Sequence, residues 1–299
     1  MTLLSGLSAF SVTPADPDGH VQVDHLQQLV SRLDRPGIAS IGVLGSTGSY
    51  AYLSRTERSR ALIAGVEAAG SKPVWAGIGA LRTSDVLHHA EDAAKAGASG
   101  LLLAPMSYLP LTEDEVLTLT SDLAKAVDLP ICFYNNPTTT HFTLTEDLLL
   151  RLAQIPGVAA AKNPAPADGD FAAQLTRLRP AVPDGFALGY SGDATIAGAL
   201  GAGADIWFSV LAGTMPDICI QMWEARNAPD RLAALNDQLT PIWALFAKYG
   251  GIRIVHELIA MLGLGAVTPP RPILPMSDGA RDDITEAFDQ ANLSLNEAA

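Results

Sequence analysis

"GVAAAK" (residues 157–162) runs five residues without a charged or hydrogen-bonding side chain and then places Lys162 at its end. Seven further runs are similarly short and apolar: "GLSAFSVTP" (6–14), "IASIGVLG" (38–45), "PVWAGIGA" (73–80), "SGLLLAP" (99–105), "LPICFYN" (129–135), "GFALGY" (185–190) and "ADIWFSV" (204–210). Most are apolar along their whole length rather than alternating, as parallel strands covered on both faces are.

Longer amphipathic segments separate them, near 22–34, 54–70, 83–96, 112–127, 143–154, 168–179 and 193–201. Ser54 ahead of Glu57, Thr112 ahead of Glu115 and Thr143 ahead of Glu146 each have the spacing of a capping box and predict helix starts. Eight strands joined by helical crossovers predict an α/β fold, a (β/α)8 TIM barrel, in preference to an open doubly wound sheet. After residue 213 the pattern is helical, near 214–227, 230–248, 250–263 and 279–291, while the prolines of "TPPRPILP" (268–275) forbid helix there. The expected organisation is therefore a barrel catalytic domain over 1–213 and a C-terminal helical extension over 214–299, packed on the barrel.

The bulk properties narrow the function. The chain has 299 residues, 48% hydrophobic and 17% charged, enough apolar material for one large core. Its formal net charge of −13, with no basic patch, opposes nucleic acid and anionic membranes as partners. No apolar run approaches the length of a bilayer span, and "MTLLSGLSAF" lacks the basic start of a signal peptide. Cys132 and Cys219 form no CxxC and no metal-ligand spacing, so a cytoplasmic protein with free thiols, no metal and no cofactor is expected.

In such a barrel the active site is assembled where strands end. The ends here are "GSTGSY" (45–50), "APMSYLP" (104–110), "FYNNP" (133–137), Lys162 and "GYSGD" (189–193). They bring Lys162, Tyr134 and the Ser46-Thr47 pair to one mouth. Burial disfavours the charged form of an amine, and an uncharged amine adds to a ketone, so Schiff-base chemistry is expected of Lys162. A neighbouring tyrosine can pass protons along that reaction. Ser46 and Thr47, between glycines that let a ligand approach the backbone, offer hydroxyl and N–H groups to a carboxylate. Alone, each feature has a plainer reading: a snorkelling lysine, a core tyrosine, a turn.

Together, "GSTGSYAYLSRTER" (45–58), "YNNP" (134–137), Lys162, "SGDATIAGALGAGAD" (191–205), "FSV" (208–210) and "PPRPILP" (269–275) give a chain that resembles the dihydrodipicolinate synthase / N-acetylneuraminate lyase family of class I, pyruvate-handling aldolases. The resemblance spans nearly the whole chain. It implies that Lys162 forms an imine with pyruvate or a related 2-oxo acid, with Tyr134 as proton shuttle and Ser46 as relay. Thr47, with the backbone at Gly48, would hold the substrate carboxylate, and Gly192 and Phe208 would line the Schiff base. An aldehyde or sugar acid is the implied second partner, and a homo-oligomer, dimer or tetramer, the implied assembly.

The departures bear on the substrate. Thr139 stands where the synthases carry an arginine that grips the second substrate's carboxylate, and a hydroxyl cannot replace a bidentate guanidinium. Ser107 occupies the place of a tyrosine given to the neighbouring subunit, with Tyr108 one residue later. Ser49 replaces a glutamate and Phe208 an isoleucine. The expected activity is a Schiff-base lyase or aldolase other than a true 4-hydroxy-tetrahydrodipicolinate synthase. That synthase, a sugar-acid dehydratase and a non-catalytic carboxylate-binding protein are the alternatives. His88 and Asp92 share a helix face and read as solvated surface rather than a metal pair. The glycines of "GALGAGAD" (198–205) fit no phosphate-binding fingerprint and read as close packing.

Overall fold

The computed structural model of the chain describes residues 3–295. Eight parallel strands close into a barrel in sequence order: β1 (Gly6–Phe10), β2 (Ile38–Val43), β3 (Val74–Gly77), β4 (Gly100–Leu103), β5 (Ile131–Tyr134), β6 (Val158–Asn163), β7 (Ala187–Tyr190) and β8 (Ile206–Ser209). The expected TIM barrel is the observed fold. Most strands are shorter than the apolar runs that contain them, because the last residues of those runs leave the ladder to build the mouth.

The pleat sorts each strand into two cores. Residues two apart face the same way, so Phe10, Trp75, Leu102, Cys132, Tyr134, Ala160, Ala187, Ile206 and Phe208 pack together inside the cylinder. Their alternates, among them Leu101, Ile131, Phe133, Ala161, Leu188 and Trp207, pack outward in the larger core beneath the helices.

The helices are α1 (Val23–Ser31), α2 (Arg55–Ala68), α3 (Thr83–Ala96), α4 (Glu113–Ala126), α5 (Pro137–Thr140), α6 (Glu146–Ala153), α7 (Phe171–Leu178), α8 (Ile196–Gly201), α9 (Pro216–Glu224), α10 (Pro229–Gln238), α11 (Thr240–Tyr249), α12 (Gly251–Met261) and α13 (Asp278–Gln290). Helix α9 follows β8 and packs against β1, while α11 packs on both α12 and α13. The expected single helix over 230–248 is two. Pro241 in the first turn of α11 has no N–H to continue α10, and the chain restarts at Thr240.

The three expected capping boxes have different outcomes. Thr112 and Glu115 form the full reciprocal box at α4. At α2, Ser54 accepts from the Glu57 N–H, yet the Glu57 carboxylate takes the Val21 N–H at 2.7 Å and Arg60 instead. At α6 the cap is Thr145, which accepts from the Leu148 N–H, and Thr143 lies ahead of it. Thr145 wins because the chain turns helical only at Glu146, whose carboxylate is held across the surface by Arg177.

Both cysteines are free and buried. Asp92 is gripped by the Arg55 guanidinium at 2.7 and 2.8 Å rather than by His88. Among the described residues no helix is long and apolar enough to cross a membrane, and no three His, Cys, Asp or Glu side chains cluster as metal ligands. Of the "GALGAGAD" glycines, Gly198 lies against the Phe171 ring, where a Cβ would come within 2.8 Å.

Candidate active site

Lys162 sits in β6 two residues after Ala160, so the pleat that turns Ala160 into the barrel turns Lys162 inward as well. Strand register sets Tyr134 beside it on β5 and Gly189 beside it on β7. The lysine is only 4% exposed. Its Nζ lies 4.1 Å from the ring centre of Phe10, 4.1 Å from that of Tyr134 and 5.4 Å from that of Phe208. Small residues make this cup. A Cβ on Gly189 would come within 2.4 Å of Phe208, and Cβ atoms on Gly42 and Gly45 would strike the Phe10 ring.

Aromatic faces attract a cation by about 0.5–2 kcal/mol each, more when water is excluded. The iminium formed when a ketone condenses with an amine is also a cation at the same nitrogen. The cup therefore favours the product of imine formation while shielding it from water.

Tyr134 is buried, and its hydroxyl oxygen accepts a hydrogen bond from Asn136 Nδ2 at 2.8 Å. The phenolic proton is thereby left to be donated elsewhere. The backbone is held at the same place, because the Asn135 N–H donates to the Lys162 carbonyl at 3.0 Å. Asn136 was not among the residues expected from sequence. "YNNP" contains it, but nothing in the spacing says that its amide turns back on the tyrosine.

The loop after β2 carries Ser46, Thr47 and Gly48. Two non-glycine residues flank them in the left-handed region, Leu44 at φ 59° and Ser49 at φ 55°. Such backbone costs about 1–3 kcal/mol per residue and persists only where the surroundings enforce it. The enforcement is visible. A Cβ on Gly77 would lie 1.7 Å from the Leu44 carbonyl oxygen, so only glycine on β3 lets that carbonyl turn there. Gly48 is equally confined, since its Cβ would meet the Leu44 backbone and Thr13 Oγ1 at 2.9–3.0 Å. Thr47 is buried and Ser46 half-buried.

Arg58 fastens the neighbouring end of β3. Its buried guanidinium donates to the carbonyls of Gly77 at 2.9 Å and Gly79 at 3.0 Å, and it stacks over Tyr50. Desolvation pulls its pKa down to about 10, which still leaves it charged near neutrality. Burial likewise pushes the Tyr50 phenol well above its ordinary value.

At the ends of β7 and β8, Gly192 adopts φ +93° and its carbonyl accepts from the N–H and Oγ1 of Thr195. Asp193, 3% exposed, accepts from Trp207 Nε1 at 2.9 Å, Val210 N–H at 3.1 Å and Leu211 N–H at 2.8 Å. Desolvation raises its pKa, against the lowering pull of those bonds and of Lys162. Asp193 thus ties the last strand to the seventh. It too was missed as a site residue, although it lies inside the quoted "SGD".

Phe208 is fully buried and forms the floor under Lys162, edge-on to both Phe10 and Trp75. Tyr108 is not brought to this mouth. It is 91% exposed on the loop after β4, where the Ser107 hydroxyl bonds the Leu109 carbonyl. Thr139 is exposed in α5 and borders a cavity of about 480 Å³ with Ser46, Thr47, Ser49 and, from the C-terminal segment, Ile252 and Ile273.

This geometry has counterparts in known proteins. A model of the dihydrodipicolinate synthetase family matches residues 3–291. The chain is 33% identical over 290 residues to a 4-hydroxy-tetrahydrodipicolinate synthase of Thiobacillus denitrificans, covering 94% of this chain and 95% of that one. It superposes with a TM-score of 0.93 on the crystal structure of dihydrodipicolinate synthase from Agrobacterium tumefaciens, at 45% identity, covering 96% of this chain and 98% of that one. The chloride-inhibited dihydrodipicolinate synthase of Acinetobacter baumannii, solved in complex with pyruvate, matches with a TM-score of 0.88 at 26% identity, covering 97% and 100%.

Proposed function

We propose, from the premise that this chain belongs to the dihydrodipicolinate synthetase family and is a carbon–carbon lyase of that family, that Lys162 forms a Schiff base with pyruvate or a related 2-oxo acid. The unprotonated Nζ adds to the keto carbon, the carbinolamine loses water, and the iminium sits among Phe10, Tyr134 and Phe208. Loss of a C3 proton gives an enamine that adds to a carbonyl carbon, and hydrolysis of the resulting iminium returns the amine. Tyr134 carries the protons, with Ser46 as relay. Thr47 and the N–H groups beside Gly48 hold the carboxylate.

The observation that carries this reading is the buried Lys162 paired in register with Tyr134 inside an aromatic cup. Binding alone would require neither. Borohydride added with pyruvate should fix a covalent adduct on the Lys162 peptide, detectable by mass. Lys162→Ala should abolish both adduct and turnover with the fold retained. Absence of an adduct with every member of a 2-oxo acid panel would refute the reading.

The second substrate differs, in this reading, from that of the relatives named above, because Thr139 supplies no positive charge at the cavity. A true 4-hydroxy-tetrahydrodipicolinate synthase is the second reading, favoured by the names of those relatives, and consumption of aspartate semialdehyde with pyruvate would establish it. The working form is a cytoplasmic homo-oligomer, dimer or tetramer. Tyr108 and the exposed Leu109 support it, as a loop end suited to a neighbouring copy.

A further inference from the structure

The cavity beside the GSTG loop has two unlike walls. One is built of hydroxyls, Ser46, Thr47 and Ser49 with Thr138 and Thr139 of α5. The other is aliphatic, with Val210 after β8, Ile252 at the start of α12 and Ile273 in the proline-rich connector. Among the described residues no Lys, Arg, His, Asp or Glu borders it. Of the arginines near its walls in sequence, Arg271 is exposed on the connector and does not border the cavity, and two others are turned elsewhere. Arg58 is occupied by the Gly77 and Gly79 carbonyls, and Arg253 donates to the Tyr249 carbonyl.

A carboxylate brought here would lose its hydration without gaining a cation, a cost of several kcal/mol. It would also lie beside the carboxylate of the 2-oxo acid, on a chain whose net charge is −13. An aliphatic tail laid against Val210, Ile252 and Ile273 gains about 0.8 kcal/mol for each methylene buried. Thr138 and Thr139, both exposed on the hydroxyl wall, supply the polar requirement for the ligand's oxygen. At about 480 Å³ the space lies within the range of small-molecule sites.

We infer that the carbonyl partner of the Lys162 enamine is an uncharged aldehyde with a short alkyl tail, an inference that rests on the imine reading above. The enamine C3 bonds to the aldehyde carbon, the aldehyde oxygen takes a proton to become a hydroxyl, and water hydrolyses the iminium to release a 4-hydroxy-2-oxo acid. No oxidant or reductant is needed. The C-terminal segment thereby acquires a role in specificity through Ile252 and Ile273.

The test is pyruvate-dependent turnover of butanal, glyceraldehyde and succinic semialdehyde by the intact enzyme. Butanal should exceed succinic semialdehyde at least about tenfold in kcat/KM, and exceed glyceraldehyde, in line with the loss of one or two buried methylenes. Thr139→Arg should raise the anionic aldehyde relative to butanal by about tenfold, and Ile252→Ser should lower butanal alone. Equal or reversed preferences, or no butanal turnover while borohydride still traps pyruvate on Lys162, would overturn the inference and leave the imine standing. Failure to trap pyruvate at all would instead remove the reading beneath it.

Discussion

Asn136 donates its side-chain N–H to the hydroxyl oxygen of Tyr134 at 2.8 Å, and so decides which way the phenolic proton can be passed. A tyrosine able to rotate would donate to its own neighbours as readily as to a reacting carbonyl. Asn136→Leu is expected to lower kcat by about tenfold, a fraction of what general acid–base catalysis supplies. The KM for pyruvate should stay within about twofold, since uniform binding is untouched. A rise in KM with kcat unchanged would make Asn136 a binding residue instead.

Phe10 gives Lys162 one of its two nearest aromatic faces. Replacement by leucine keeps an apolar side chain and removes the quadrupole. Loss of about 1 kcal/mol of cation stabilisation should weaken the trapped pyruvate adduct roughly fivefold in half-saturating concentration. A control melt separates this from damage to the barrel interior.

Gly77→Ala tests the strained turn. The added methyl would lie 1.7 Å from the Leu44 carbonyl oxygen, backbone against backbone, where no side chain can yield. The expected loss is about 3 kcal/mol, read as a lower urea midpoint at unchanged slope. Turnover should fall further than stability explains, because Ser46 and Thr47 ride on the displaced turn.

His89 predicts a pH dependence of stability. Desolvation, and next the charge of Arg58, lower its pKa from 6.5 to about 4. Below pH 6.5 the unfolded chain takes up a proton that the folded chain refuses until about pH 4, so His89 makes stability fall as pH drops through that window. The side chain is half-buried, so solvent weakens the effect. His89→Gln should flatten the decline in Tm between pH 6.5 and 4.5 by about 2 °C and leave Tm at pH 8 nearly unchanged.

Several things were legible in the chain alone. An apolar run with lysine at its end is hard to place except as a buried parallel strand, and the two-residue pleat then aims Lys162 and Tyr134 to one side. Glycines at 45 and 48 marked a tight loop, and the absence of arginine at 139 was plain. These are local properties, fixed by period, composition and backbone freedom.

What tertiary structure decided depends on partners far apart in sequence. Thr145, whose hydroxyl also donates to Glu113 across the fold, took the cap in place of Thr143, and Glu57 left its box for the Val21 N–H. Asp193 became the brace of the last strand only when Trp207, Val210 and Leu211 turned their N–H groups to it. Ile252 and Ile273 became cavity walls only when the C-terminal segment came to rest over the mouth. Sequence alone determined that Lys162 would close an apolar strand of a barrel, since a run apolar along its whole length asks to be covered on both faces. The packing of distant segments decided what that lysine faces, because contacts between elements are chosen by shape and by the satisfaction of buried polar groups, which no local pattern records.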